Sequence, residues 1–124
     1  MRRAANAGDA YAGRLTAEGL AVVTRPVDEG GGLLPLAPSL AVRNHSPGGF
    51  AWGYGGSGAA QLALALLLDR TGSPRLSEAL YQRLKAEIVA DWPWRPGALW
   101  LLPGPALDRW IAAESARDAR SAGA

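Results

Sequence analysis

Apolar and polar positions divide the chain into a β-patterned beginning and a largely helical remainder. Tyr11–Leu15 and Leu20–Arg25 are short β-compatible stretches separated by Thr16–Gly19, a spacing that suits a hairpin. Val27–Gly32 follows as a flexible loop. Leu33–Val42 contains Pro35 and Pro38, so it can form only a broken or edge strand. Its end, Ser39–Arg43, is expected to enter the sheet and deliver Asn44 and His45 to its rim.

The first strong helix spans Ala59–Asp69, with Gly58 as its N-cap, Gln61 in the first turn and Thr71-Gly72 closing it. Leu62, Leu64, Leu66, Leu67 and Leu68 leave it no polar face, which describes a central, buried helix. Ser73-Pro74 opens a second helix in which Leu76, Leu80, Leu84 and Ile88 recur every fourth residue. Glu78, Gln82, Arg83 and Glu87 lie on the opposite face, where Arg83 and Glu87 are spaced to pair. Trp92–Gly97 ends that helix, Ala98–Leu102 reads as a strand, and Pro105–Ala116 as a last helix with Leu107, Trp110 and Ile111 inward. The expected fold is α+β: a small antiparallel sheet packed against a buried helix and an amphipathic helix, with a short C-terminal helix. Residues 1–124 form one domain in this reading, with loose termini at about 1–9 and 117–124.

Composition narrows the function classes. The chain has 124 residues, 48% of them apolar and 19% charged, as in a globular protein. The absence of cysteine removes disulfide, thiolate and Cys-metal chemistry. No N-terminal stretch has the apolar core of a signal peptide, and Leu62–Leu68 is too short to span a bilayer. A cytoplasmic protein with no membrane contact is the expectation. The pI of about 9.5 suggests nucleic acid, yet the formal net charge is only +2 and Arg2-Arg3 is the longest basic run. That balance argues against nucleic acid as a partner.

Candidate chemistry concentrates in Arg43–Gly58. Amides of Gly55, Gly56, Ser57 and Gly58 precede a helix start, where unpaired N–H groups and the helix dipole favour an anion. Arg43 adds charge, Phe50, Trp52 and Tyr54 can stack on a base or sugar, and Asn44, His45 and Ser46 offer directional hydrogen bonds. Together they would suit a nucleotide or another phosphorylated small molecule. The other reading is that the glycines let the backbone cross closely over the buried helix. Trp92-Pro-Trp94 is a second candidate, an aromatic pair able to anchor a partner protein.

Other chemistries fit less well. The P-loop lysine is missing, and Gly53-Tyr-Gly55-Gly-Ser-Gly58 matches the dinucleotide fingerprint only as letters, with no βαβ pattern around it. Ser57 fails the Gly-x-Ser-x-Gly elbow. His45 with Ser46 or Asn44 is the remaining candidate for catalysis, although sequence neighbours seldom reach nucleophile–base geometry. One histidine and no cysteine argue against a metal site, and no cofactor is implied.

Asn44-His-Ser-Pro47, Gly49-Phe50, Trp52-Gly-Tyr54, Gly56-Ser-Gly58 and Ala60–Leu66 together resemble an uncharacterised family of small bacterial and phage proteins. Its pattern is N-H-S-P-x-G-F-x-W-G-Y-x-G-S-G-x-A-Q-L-A-L-A. The resemblance covers roughly residues 40–112, and Ala59 departs from the proline expected at the open position before Ala60. It implies a small accessory protein of phages, prophages and their hosts, often concerned with host–phage conflict, and gives no catalytic residues to carry over. Three functions follow as expectations: a non-enzymatic binder of a nucleotide-like or phosphorylated ligand, suited in a phage setting to sequestering a host defence signal; a protein–protein inhibitor or adaptor of a host protein; and a small hydrolase using His45. A homo-oligomer is compatible with each.

Overall fold

A computed structural model describes residues 8–123, with side chains described to 120. Its elements run β1 (Ala10–Leu15), β2 (Ala21–Thr24), a 3-10 turn at Val27–Glu29, α1 (Ala37–Val42), α2 (Ser57–Thr71), α3 (Pro74–Glu87), a 3-10 turn at Val89–Asp91, β3 (Leu99–Pro103) and α4 (Gly104–Gly123). The three strands form an antiparallel sheet in the order β2-β1-β3. This is the expected α+β architecture.

One face of the sheet is buried and the other open. Tyr11, Leu15, Val23, Trp100 and Leu102 point into the core, where they meet α2 and the aromatic side chains of the chain's second half. Every residue from Gly58 to Leu67 is buried. Leu62, Leu64, Leu66 and Leu67 thus occupy the centre of the molecule, as the lack of a polar face requires, and Leu68 is half-buried. Apolar area removed from water in this way stabilises the fold by about 25 cal/mol per Å2.

Several boundaries differ from the sequence expectation. Ser39–Arg43 does not join the sheet: residues 37–42 form α1, with Pro38 in its first turn, where a fixed φ and a missing N–H favour helix. Only Leu33 makes a bridge to β2, through Thr24. The buried helix begins at Ser57 with Gly56 as N-cap, earlier than Ala59 and Gly58, and closes at Gly72 in the left-handed conformation (φ 68°). Ser73 caps α3 as expected, its hydroxyl accepting from the Leu76 amide at 3.1 Å. Arg83 turns away from Glu87 and pairs with Asp118 of α4 at 2.7 Å, while Glu87 accepts from the Trp110 indole.

The Val27–Gly32 segment is tied down at several points. Asp28 N–H donates to Gly8 O at 2.7 Å, and Arg25 N–H to Gly32 O at 2.8 Å. The last helix continues beyond Ala116 to Gly123. The proposed loose terminus at 1–9 lies mostly outside the described residues.

Candidate functional site

The turn before α2 is built by close contact. Gly53 has φ +83°, a left-handed conformation that favours glycine, and a Cβ there would lie 2.8 Å from the Trp92 carbonyl oxygen. A Cβ on Gly58 would lie 2.6 Å from that of Ala51, whose amide donates to Gly58 O at 3.1 Å. A Cβ on Gly56 would run into the ring of Tyr54 at 2.1 Å. These glycines bring Ala51–Tyr54 across the start of α2 and up to the segment after α3, where Gly53 N–H donates to Val89 O at 3.1 Å.

Trp52 sits at the centre of this crossing. Its side chain is wholly buried and its indole N–H donates to Pro93 O at 2.9 Å, so it has no free face for a ligand. It meets Trp94 and Trp100 edge-on, with ring centroids 4.9 and 5.7 Å apart. Trp92 stacks on Trp100 at 3.8 Å. The two members of the Trp92-Pro-Trp94 pair therefore differ: Trp92 packs against the core, while Trp94 remains 44% exposed.

The Asn44–Pro47 loop is held by one side chain. Gln61 is fully buried in α2; its Oε1 accepts from the His45 amide at 2.8 Å and the Ser46 amide at 3.0 Å. Its Nε2 donates to Ser39 Oγ at 2.8 Å and Arg43 O at 3.1 Å. All four hydrogen-bonding positions of the amide are thus used, as a buried polar group requires. Sequence reasoning placed Gln61 in the helix but gave it no role. A lone polar side chain inside Ala60–Leu68 was the signal, because burying it unpaired is costly.

His45 and Ser46 turn to different partners. His45 Nε2 lies 2.7 Å from the Tyr81 hydroxyl, whereas Ser46 Oγ donates to Gly49 O at 2.7 Å. They do not form a nucleophile–base pair. Arg43 pairs with Glu78, and the hydrogen bond to that carboxylate is the largest influence raising its pKa. Asn44 is exposed. Among the described residues no group of three or more metal-ligating side chains is placed to hold an ion. No described helix is long and apolar enough to cross a membrane.

What faces outward is narrower than the sequence suggested. Tyr54 is 53% exposed, and with Trp94 it flanks Gly53. Gly55 and Ser57 are also exposed, beside an α2 start whose N-cap makes no side-chain hydrogen bond and whose first turn holds no acid. Three concavities lie elsewhere. One of about 220 Å3 sits between α1 and α2, and two border the open face of the sheet.

The model of a family of unknown function, DUF6166, matches residues 11–113, which include every element from β1 into α4. No curated protein and no solved structure matches the chain.

Proposed function

We propose that the chain, which belongs to this family of unknown function, is a non-enzymatic interaction module that holds a protein partner through Tyr54 and Trp94. The observation that carries this reading is the division of labour in the glycine-rich turn. Trp52, His45, Ser46, Gln61 and Arg43 all have partners within the fold, while Tyr54 and Trp94 stay exposed beside Gly53. Large aromatic side chains with few rotatable bonds bind with little entropy loss and dominate interface energetics. The neighbouring core fixes both in place: Tyr54 lies over Gly56, and Trp94 is wedged against Trp52. In the phage or prophage setting that the sequence resemblance implies, the partner would be a host protein and the module an inhibitor or adaptor.

A second reading rests on the uncapped start of α2. The amides of the exposed Gly55 and Ser57 would receive the phosphate of a nucleotide-like ligand, with Tyr54 stacked on its base. One pair of experiments separates the two. Tyr54→Ser and Trp94→Ser should each abolish capture of a specific partner from host lysate, with the thermal unfolding midpoint kept within about 3 °C of the parent, as expected for exposed sites. A partner retained by both variants would overturn the proposal. A thermal shift with a nucleotide or cyclic nucleotide, lost in Tyr54→Ser, would instead favour the ligand reading.

A further inference from the structure

The outer edge of the sheet is a strand unpaired on its outward side. β3 is an edge strand, Leu99-Trp-Leu-Leu-Pro103, with no charged residue. Its hydrogen bonding to β1 alternates, and Gly104 N–H donates to Asp9 O at 2.7 Å. In the register that pairs Tyr11 with Leu102 and Gly13 with Trp100, those pairs carry the ladder bonds. Leu99 and Leu101 therefore direct their N–H and C=O groups away from the sheet. Their side chains lie on its open face, 59% and 60% exposed. The opposite edge is covered, since Leu34 N–H donates to Val23 O at 2.9 Å. A bare, apolar edge of this kind is a template for another strand.

Charge points to the occupant. At the Leu99 end stand Arg14 and Arg95, both exposed and in none of the ion pairs among the described residues; Glu18 on the hairpin tip offsets only one of them. At the Pro103 end Asp9, Glu29 and Asp108 surround the single guanidinium of Arg70, which lies against Gly104. Asp28 adds to that acidic end and Arg109 subtracts from it. An antiparallel copy of the same strand reverses these ends. The basic end of each copy then meets the acidic end of the other.

We infer that β3 pairs with β3 of a second copy about a two-fold axis, joining two three-stranded sheets into one of six strands. Leu99 of each copy lies opposite Leu101 of the other, and the four outward N–H groups find the four outward carbonyls. Arg95 is brought beside the second copy's Asp108. A strand pair this short buries less than the roughly 800 Å2 per partner of a standard interface, so the dimer should form at about 10–100 µM.

Sedimentation equilibrium of the full chain from about 10 µM to about 1 mM tests this range. The expected result is a monomer–dimer equilibrium. Leu101→Pro removes one outward N–H while leaving the β1 ladder intact, and should abolish the dimer; Leu101→Lys serves if the proline variant loses its circular dichroism. Arg95→Glu should raise Kd about fivefold, and added salt should weaken the parent dimer. In hydrogen exchange the Leu99 and Leu101 amides should gain protection as concentration rises. A chain monomeric at 1 mM, a dimer that survives both Leu101 variants, or equal exchange at all concentrations would overturn the inference, as would protection produced only by a foreign protein.

Discussion

The two ends of α2 are secured by opposite kinds of physics. At the N-terminal end, packing and neutral hydrogen bonds do the work: Gly58 against Ala51, and Gln61 beneath the Asn44–Pro47 loop. At the C-terminal end charge does it. Asp69 receives the Tyr11 hydroxyl at 2.7 Å and Arg25 Nε at 2.7 Å, while Arg70 gathers Asp9, Glu29 and Asp108. The first end positions the exposed aromatics, and the second ties β1, the Val27–Glu29 turn and α4 to one helix. The contrast predicts that the first end tolerates changes of salt and pH but no change of volume. The second should tolerate small changes of volume and respond to both conditions.

The strongest test is at the packed end. Gly58→Val places methyl groups where Ala51 already stands, and its β-branch is disfavoured in a helix. It should cost about 3 kcal/mol or more in urea unfolding. Adding 1 M salt should not restore the loss. Gln61→Leu should cost about 2–3 kcal/mol, because it strips partners from two backbone amides and one carbonyl at once. Its signature would be faster amide exchange at His45 and Ser46 and a loosened His45–Tyr81 contact, visible by NMR. A Gln61→Leu variant as stable as the parent would mean the loop is held by something else.

At the charged end, Arg70→Met should cost about 2 kcal/mol, because three carboxylates lose their shared cation. Here added salt should recover part of the loss, since the remaining repulsion is partly exposed and screened. The pH profile follows from the same cluster. The Arg70 hydrogen bond is the chief influence holding Asp108 below its ordinary pKa of 3.8. Its contribution is therefore complete above that value and disappears as pH falls through the lower folded pKa. Tyr11 moves the other way. Burial, then its hydrogen bond to Asp69, raises its pKa far above the ordinary 10.0, so its contribution is complete below pH 10 and is lost on further rise. Unfolding measured across pH should show both limbs in the parent. Arg70→Met should flatten the acid limb, and Gln61→Leu should leave both limbs in place.

How much of this was legible in the sequence follows the same division. Local signals were reliable: Ser73-Pro74 opened α3, Gly72 closed α2, and the leucine run marked the buried helix, because each depends on neighbours in the chain. Long-range pairings were not. Arg83 had a plausible partner one turn away in Glu87, yet its carboxylate is Asp118, 35 residues distant. Nothing in a linear pattern links Arg70 to Asp9, 61 residues earlier. Within Arg43–Gly58 the roles of neighbouring residues were not separable. Trp52 and Tyr54 sit two positions apart in one glycine-rich turn, and only the fold determines that the first is buried and the second exposed.

The smallest effect tests the packed end at its weakest point. Trp100 stacks on Trp92 and fills the space left by Gly13, where a Cβ would lie 2.2 Å from its ring. Its indole nitrogen is the buried side-chain polar atom without a hydrogen-bond partner among the described residues. Leaving such a donor unmet carries a penalty of about 1–3 kcal/mol, set against the large apolar area the indole buries. Trp100→Phe removes the unmet donor and part of that area together. The two changes should nearly cancel, leaving stability within about 1 kcal/mol of the parent and unaffected by salt. A loss of about 3 kcal/mol would instead show that the buried area and packing of the indole outweigh its unmet donor.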